Sequence, residues 1–130
     1  MVAFDTNVLV RVLVGDDPAQ TRKAERAFAE HAKGDGVFVS LVVLAEIAWV
    51  LSAAYEWDRT MIHGRLHQLV RTRGVSLEDL VLVEAALEGY GEGKAGLADY
   101  LIVEKARRIG AELLTFDKRL ARVHGVTLLS

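Results

Sequence analysis

Residues 1 to 10 read Met1-Val-Ala-Phe-Asp5-Thr-Asn-Val-Leu-Val10, and this stretch decides the fold class. The apolar residues from Val2 to Phe4 predict a short buried strand that leads into Asp5, Thr6 and Asn7. The pattern from Asn7 to Leu13 then predicts a short helix. A buried strand that passes directly into a helix is typical of α/β proteins with parallel strands.

The same alternation of strand and helix continues along the chain. Further strands are predicted at Val37–Val39, Glu112–Thr115 and Val126–Leu129, with a short extended piece after Gly74. Helices are predicted from Pro18 to about His31, from Ser40 to about Tyr55, after Asp58, from about Leu77 or Leu80 to Tyr90, and from Leu97 to Ile109. Because no linker or repeat interrupts the 130 residues, we predict a single α/β domain over residues 1–130, with a central parallel sheet flanked by helices.

Composition excludes several classes of site. The chain has no cysteine, so disulfides, thiolate zinc sites and cysteine nucleophiles are ruled out. The apolar N-terminus lacks a basic segment and contains Asp5, so it does not resemble a secretion signal. The most apolar helix contains Glu46 and Trp49, which argues against a membrane span. We therefore expect a cytoplasmic protein without a membrane partner.

Acidic residues interrupt apolar stretches at four places: Asp5, Glu46, Asp99 and Asp117. A carboxylate in apolar surroundings must be paired, protonated or bound to a cation. No basic residue lies inside these stretches, and Arg11 comes just beyond the first one. If the fold brings the four acids together, their mutual repulsion favours a divalent metal as their partner.

The predicted elements would bring these acids to one place. Asp5 and Asp117 each follow a predicted strand, and parallel neighbouring strands direct such residues to the same edge of a sheet. Asp99 lies in the first turn of the last long helix, on the face of Ile102 and Val103 that we expect to pack on the sheet. Glu46 lies mid-helix on an apolar face, from which its longer side chain could reach the cluster.

Carboxylates without histidine or cysteine favour Mg²⁺ or Mn²⁺ over zinc. A centre of this kind suits phosphodiester hydrolysis, because the metal lowers the pKa of an attacking water and neutralises charge in the transition state. Other roles stay open for the individual acids. Asp5 and Asp117 could be turn residues at strand ends, and Asp99 could serve the N-terminus of its helix.

Several neighbouring residues could support the acids. Thr6 and Asn7 could orient Asp5 or a metal-bound water, although Asn7 could equally be a simple helix cap. Thr115 could bond a carboxylate or a substrate phosphate. The segment from Glu104 to His124 contains six basic and three acidic residues, a balance that suits a phosphate backbone or a solvated surface. The candidate contacts with substrate phosphates are Arg11, Lys118 and Arg119.

Four short motifs resemble the PIN domain, and more closely the ribonuclease toxins of VapBC-type toxin–antitoxin modules. They are Phe4-Asp-Thr-Asn-Val-Leu9, Glu46 isolated in its apolar helix, Leu97-Ala-Asp99-Tyr-Leu-Ile102 and Leu114-Thr-Phe-Asp117. The resemblance implies a three-layer α/β/α fold and a Mg²⁺- or Mn²⁺-dependent endoribonuclease. It also implies that Asp5, Glu46, Asp99 and Asp117 form the acidic quartet, accompanied by Asn7 and Thr115. Members of this family are usually homodimers, and a cognate antitoxin typically occludes the acidic site.

Two other functions remain open at this point. An aspartyl-phosphate phosphatase would use Asp5 as the nucleophile, but that chemistry normally has a second Asp two residues later, where this chain has Asn7. A non-catalytic scaffold that binds RNA or protein is the second alternative, and the presence of all four acids argues against it. Trp49, Trp57 and Met61 could mark a dimer or antitoxin surface, or could belong to the core.

Overall fold

The computed structural model describes all residues, 1–130, as six α-helices and five short strands. The strands are β1 (Val2–Ala3), β2 (Val37–Val39), β3 (Val75–Leu77), β4 (Leu113–Thr115) and β5 (Val126–Leu128). The helices are α1 (Thr6–Val14), α2 (Pro18–Lys33), α3 (Leu41–Ala53), α4 (Arg59–Val70), α5 (Leu80–Glu92) and α6 (Leu97–Arg108). A short 3-10 helix covers Leu120–Arg122. The residues divide into two compact units, Met1–Leu80 and Val81–Ser130.

The first unit contains a three-stranded parallel sheet in the order β1-β2-β3. Val37 of β2 pairs with Val2 on one side and with Val75 on the other. Helix α1 packs against α2 and α3, and α3 packs against α4. Apolar side chains from these helices and from β2 fill the core of this unit, which includes Leu9, Val37, Val39, Leu44, Ile47, Leu51, Ile62 and Leu66.

The helices of the first unit begin where the sequence supplies a capping side chain. Asp5 caps α1, Asp17 caps α2, Ser40 caps α3 and Asp58 caps α4, and each side chain accepts a hydrogen bond from a backbone N–H in the first turn. Such bonds satisfy amide groups that have no partner inside the helix. The short apolar strands therefore pass into helices at defined residues.

The second unit contains α5 from Val81 onward, α6 and the parallel pair β4-β5. Leu113 pairs with Val126, and Thr115 pairs with Leu128. Tyr100 is buried against the α5 side of this unit, where Gly89 and Gly93 leave room for its ring. A Cβ added at Gly89 would lie 2.8 Å from Cδ1 of Tyr100, so the absence of a side chain permits this close packing.

The predicted α/β class, with parallel strands and flanking helices, is confirmed. The strands form two hydrogen-bonded ladders, β1-β2-β3 and β4-β5, where we predicted one central sheet. The interpretation of Asn7 as a helix cap is wrong, because Asp5 caps α1 and the helix begins one residue before Asn7. The single domain over residues 1–130 stays a prediction. Every helix is too short or too polar to cross a lipid bilayer.

The interpretation of Trp49 as a core residue is also wrong. Its side chain is 70% exposed on α3, and Met61 on α4 is 49% exposed. Trp57 is partly buried. The core face of α3 is instead formed by its aliphatic residues, which leaves Trp49 on the outer face together with Val42.

Candidate functional site

Asp5 lies at the junction between β1 and α1, two residues beyond the end of the strand. Its backbone is extended, and its Oδ1 accepts a hydrogen bond from the backbone N–H of Val8 at 3.1 Å. This bond fixes the carboxylate at the N-terminus of α1, where the helix dipole favours negative charge. Oδ2 takes no part in the cap, so Asp5 keeps an oxygen that can face a ligand.

Thr6 connects the first acid to the second. Its hydroxyl group donates a 2.8 Å hydrogen bond from Oγ1 to Oε1 of Glu46. Thr6 is the first residue of α1, and Glu46 lies in the middle of α3, which packs against α1. The packing of these two helices therefore brings the carboxylate of Glu46 to Thr6, the residue that directly follows Asp5 in the sequence.

Asp99 lies in the first turn of α6, where it forms part of a capping box. Its Oδ2 accepts a hydrogen bond from the backbone N–H of Gly96 at 3.2 Å. The next residue, Tyr100, is buried, and its hydroxyl oxygen accepts a 3.5 Å hydrogen bond from the backbone N–H of Ala95. The carboxylate of Asp99 is therefore held at a helix N-terminus whose preceding loop is tied to the core of the second unit.

Asp117 lies in the turn that follows β4. The hydroxyl oxygen of Thr115 accepts a 3.0 Å hydrogen bond from the backbone N–H of Asp117, which fixes the start of this turn. The Oδ1 of Asp117 accepts from the backbone N–H groups of Arg119 at 2.8 Å and Leu120 at 3.3 Å. The predicted supporting residue Thr115 therefore acts on the backbone of the acid.

The guanidinium group of Arg119 forms an ion pair with Asp117, with Nη2 lying 3.3 Å from Oδ2. Hydrogen bonds from the Arg119 side chain are the main cause that holds the pKa of Asp117 below its ordinary value. The pKa of Arg119 is raised, first by Asp117 and to a smaller extent by the charge of Asp99. One cation of the second unit thus interacts with both of its candidate acids.

The other candidate phosphate contacts differ in their surroundings. Arg11 is engaged within the first unit, where Nη1 donates to Oδ1 of Asp16 at 3.0 Å and to the hydroxyl oxygen of Tyr55 at 3.2 Å. Its Nε donates to Oε1 of Gln20 at 2.7 Å. Lys118 is exposed. Hydrogen bonds within the first unit therefore fix the orientation of the Arg11 guanidinium group.

The expectation of apolar surroundings is wrong for Asp5 and Glu46. Asp5 and Glu46 are exposed, and Asp99 and Asp117 are partly buried. On the helix of Asp99, Val103 is buried but Ile102 is 52% exposed, so Asp99 lies at the border of the buried face. The apolar residues that surround Glu46 in sequence include the exposed Val42 and Trp49 of the outer face of α3.

The chemistry of these donors fits a hard divalent cation. Neither unit contains a group of three or more histidine or acidic side chains that could hold a metal ion. The first unit offers the carboxylates of Asp5 and Glu46, joined through Thr6, and the second offers Asp99 and Asp117, which share Arg119. Carboxylate oxygens are the ligands that Mg²⁺ and Mn²⁺ prefer. The assignment of all four acids to one centre stays a prediction.

Sequence reasoning missed two polar residues that lie near Asp5. Gln20 and Lys23 on α2 line a cavity that also has Asp5 and Asn7 in its wall. Gln20, Lys23, Ala24 and Ala27 lie three or four residues apart on the predicted second helix and therefore share one helical face. This spacing was the signal that could have grouped them. No pattern of residues indicates that this face meets the junction between β1 and α1.

Comparison with known proteins identifies the family of this chain. The family model of the PIN domain matches residues 2–126. The chain is also similar to a VapC ribonuclease of Aquifex aeolicus (strain VF5), with 26% identity over 125 residues that cover 95% of this chain and 92% of the relative. The match to the family model includes β1, all six helices and the start of β5. The chain therefore belongs to the PIN domain family.

Proposed function

We propose that this chain is a Mg²⁺- or Mn²⁺-dependent endoribonuclease, the toxin of a toxin–antitoxin pair, which hydrolyses RNA phosphodiester bonds. Membership of the PIN family and the similarity to a VapC ribonuclease support this function. The structural observation that carries it is the hydrogen bond from Thr6 to Glu46, because it links an acid in mid-helix to the strand–helix junction of Asp5.

The proposed metal ligands are Asp5, Glu46, Asp99 and Asp117. The resemblance to the family is the reason for assigning the pair of acids in the first unit and the pair in the second unit to one metal centre. The bound cation would supply an activated water and neutralise charge on the phosphate. Glu46 is oriented by Thr6, and Asp117 is positioned by the turn that Thr115 fixes. The exposed side chains of Asn7, Lys118 and Arg119 are suited to bind RNA phosphates, whereas Arg11 serves mainly to order its surroundings.

The proposal includes a cognate antitoxin, a homodimer and a cytoplasmic location. The exposed side chains of Val42 and Trp49, 68% and 70% accessible, lie seven residues apart on the outer face of α3. Residues at this spacing share one side of a helix, and an apolar patch of this kind is typical of a protein–protein contact. Trp49 therefore supports a partner surface on α3.

The test compares two matched substitutions at helix N-caps. Asp5→Asn removes a proposed ligand but retains a side chain that caps helices well. Asp58→Asn makes the same change at the cap of α4, where the side chain accepts a 2.8 Å hydrogen bond from the backbone N–H of Met61. Cleavage of a structured RNA pool is measured with Mg²⁺ or Mn²⁺, with and without EDTA, and circular dichroism confirms that each variant is folded.

We expect cleavage by the parent chain and by Asp58→Asn, loss of cleavage in EDTA, and at least about a hundredfold loss for Asp5→Asn and Asp99→Asn. RNA binding without cleavage by the parent chain would favour the non-catalytic scaffold. A phosphorylated Asp5 that accumulates with a phosphate ester would favour the phosphatase. Cleavage that is equal in parent and Asp99→Asn proteins would show that the acids are not the catalytic groups.

A further inference from the structure

Phe116 is the most exposed of the large apolar side chains in the chain, with 79% of its surface accessible. The residues of β4 alternate in burial, since Leu113 and Thr115 are partly buried and Leu114 is 51% exposed. Phe116 continues this alternation one residue beyond the strand, because successive side chains of an extended chain point to opposite faces. The ring therefore lies on the open face of the β4-β5 pair, outside the core of the second unit.

The backbone on both sides of this ring is fixed by hydrogen bonds. The N–H of Asp117 donates to the hydroxyl oxygen of Thr115, and the carbonyl oxygen of Thr115 accepts a 2.7 Å bond from the N–H of Leu129. The carboxylate of Asp117 in turn accepts a bond from the N–H of Arg119. A phenyl ring has only two side-chain torsions, so ordering it on such a backbone costs little conformational entropy. Phe116 is therefore an aromatic surface held at a defined position.

Positive charge without an acidic partner lies near this ring. Arg119 is paired with Asp117, so the free charge comes from other residues. Lys118 directly follows Asp117, is exposed and forms no ion pair. Lys94 is likewise exposed and unpaired, and its carbonyl oxygen accepts a 3.5 Å hydrogen bond from Nη1 of Arg119. The segments that carry these two free lysines therefore adjoin the turn that follows Phe116.

An exposed aromatic ring with unpaired lysines nearby matches the chemistry of single-stranded nucleic acid. Unpaired bases stack on aromatic side chains, and the phosphates beside them attract cations. Consecutive Cα atoms are about 3.8 Å apart, so a base on Phe116 would belong to a nucleotide close to a phosphate at Asp117. A free phosphate ion would use the lysines and leave the ring without a partner.

We propose that Phe116 is a stacking residue for one unpaired base of the RNA substrate, near the phosphate that is cleaved, and that Lys118 contacts an adjoining phosphate. This inference rests on the proposed function, because Asp117 enters it as a metal ligand. It concerns the inhibitor-free chain, since an antitoxin that occludes the acids would compete with RNA for this surface. Phe116 positions the RNA and takes no part in breaking the bond.

A contact between proteins is the competing role of this surface, because Leu114 and Leu129 are also exposed, at 51% and 42%. If the face paired with the same face of a second copy, Lys94 and Lys118 of both chains would be brought together, and like charges repel. Lysine is also depleted at the centre of protein interfaces. The charges therefore favour RNA, and a protein contact is an outcome that the experiment detects.

The test measures RNA binding in EDTA, which prevents metal-dependent cleavage. A fluorescein-labelled single-stranded RNA of random sequence is titrated with the inhibitor-free protein, and fluorescence anisotropy gives the affinity. Phe116→Ala and Phe116→Leu remove the aromatic ring, whereas Phe116→Trp replaces it with a larger one. Ile109→Ala is the matched control, because it truncates another exposed apolar side chain of the second unit, 71% accessible.

We expect Phe116→Ala and Phe116→Leu to bind RNA about fivefold to a hundredfold more weakly than the parent, the range for one stacked base. Phe116→Trp and Ile109→Ala should retain the affinity of the parent. Equal affinities of Phe116→Leu and Phe116→Trp would refute stacking, since only tryptophan keeps an aromatic face. Absence of RNA binding by the parent chain would refute it as well.

The salt dependence separates stacking from phosphate contact. Lys118→Gln should reduce the slope of log affinity against log salt by about 0.7, the value for one phosphate of a single strand. Phe116→Ala should lower the affinity at every salt concentration and leave the slope unchanged. An unchanged slope in Lys118→Gln would exclude its phosphate contact, and a smaller slope in Phe116→Ala would contradict a stacking role.

NMR spectroscopy and sedimentation equilibrium distinguish a base from a protein on this ring. In protein with isotope-labelled phenylalanine, the signals of Phe116 are identified by their absence in Phe116→Leu. They should shift upfield when RNA is added, because a stacked base lies over the ring. A dimer that dissociates in Phe116→Ala while the RNA affinity stays unchanged would instead assign the ring to a contact between copies of the chain.

Cleavage assays with Mg²⁺ or Mn²⁺ show whether the stacking residue and the nuclease fail separately. Cleavage by the parent, together with equal RNA affinities of the parent and Phe116→Ala, would overturn the stacking residue and leave the nuclease intact. RNA binding that depends on the ring, without any cleavage, would support the stacking residue and count against the nuclease.

Discussion

Thr6 Oγ1 donates a 2.8 Å hydrogen bond to Glu46 Oε1, across 40 positions of the sequence. The bond joins the first residue of α1 to the middle of α3 and fixes one oxygen of an otherwise exposed carboxylate. Glu46 could adopt many rotamers on the outer face of its helix without this partner. Thr6 therefore acts by restricting the orientation of Glu46.

Thr6→Ala should lower the affinity for Mn²⁺ and the rate of RNA cleavage by about tenfold or more, because partners that orient metal ligands commonly contribute this much. Thr6→Ser keeps the hydroxyl group and should retain most of both. Calorimetric titration with Mn²⁺ and single-turnover cleavage provide the two measurements. Equal behaviour of Thr6→Ala and the parent protein would show that the hydrogen bond has no role in the site.

Arg119→Gln should increase the affinity for Mn²⁺ by up to about fivefold, the upper range for an exposed ion pair. The guanidinium group lies 3.3 Å from Asp117 Oδ2 and would compete with a cation for this carboxylate. Arg122→Gln removes an exposed cation from the same segment and serves as the control. Calorimetry with Mn²⁺ in the absence of RNA measures the effect. Weaker Mn²⁺ binding by Arg119→Gln than by Arg122→Gln would contradict this competition.

Local pattern was sufficient to predict the order of strands and helices. Short apolar runs ending in Asp5 or Ser40 indicated strands that pass into capped helices, and these junctions are confirmed. The pairing of the strands was harder to predict. Nothing in Leu113–Thr115 distinguishes β5 from β1 as its neighbour, because every strand of this chain is short and mostly apolar and pairing depends on tertiary packing.

Burial of the acids could not be predicted from their neighbours in sequence. Glu46 is flanked by apolar residues on both sides, yet a helix turns by about 100° per residue and these neighbours point in different directions. Ile47 and Ala48 enter the core, whereas Glu46 and Trp49 remain exposed. The hydrogen bond from Thr6 was likewise not predictable, since it depends on how α1 packs against α3.

Gly93→Ala should destabilise the protein by about 1–3 kcal/mol, the usual range for overpacking. An added Cβ would collide with the hydroxyl oxygen of Tyr100 and lie 2.6 Å from its Cζ. Gly64→Ala is the control, since the new methyl group in α4 would meet nothing within 4 Å. That substitution should stabilise the helix by about 0.5–1 kcal/mol. Urea unfolding measures the free energy of unfolding of both variants. Equal changes in this free energy would show that Tyr100 repacks around the new methyl group without a loss of stability.

Tyr55→Phe should make the protein less stable than the parent at neutral pH. The difference between their free energies of unfolding should become smaller in acid. The Tyr55 hydroxyl donates a 2.8 Å hydrogen bond to Oδ2 of Asp16, and this bond is the largest cause that lowers the pKa of Asp16. A lowered folded-state pKa contributes stability above the unfolded value, near 3.8, which is lost as the pH falls through the folded value. Below that range Asp16 is protonated in both proteins.

Urea unfolding of the parent and Tyr55→Phe proteins between pH 2.5 and pH 7 measures this difference, at about half-unit steps chosen to bracket the pKa of an ordinary carboxyl group. In an Asp16→Asn background the same substitution should give a difference that does not change with pH, because the titrating partner has been removed. A difference that stays constant down to the lowest pH in the parent background would show that Tyr55 stabilises the fold by packing alone. A pH-dependent difference that persists in Asp16→Asn would instead assign the titration to another carboxyl group.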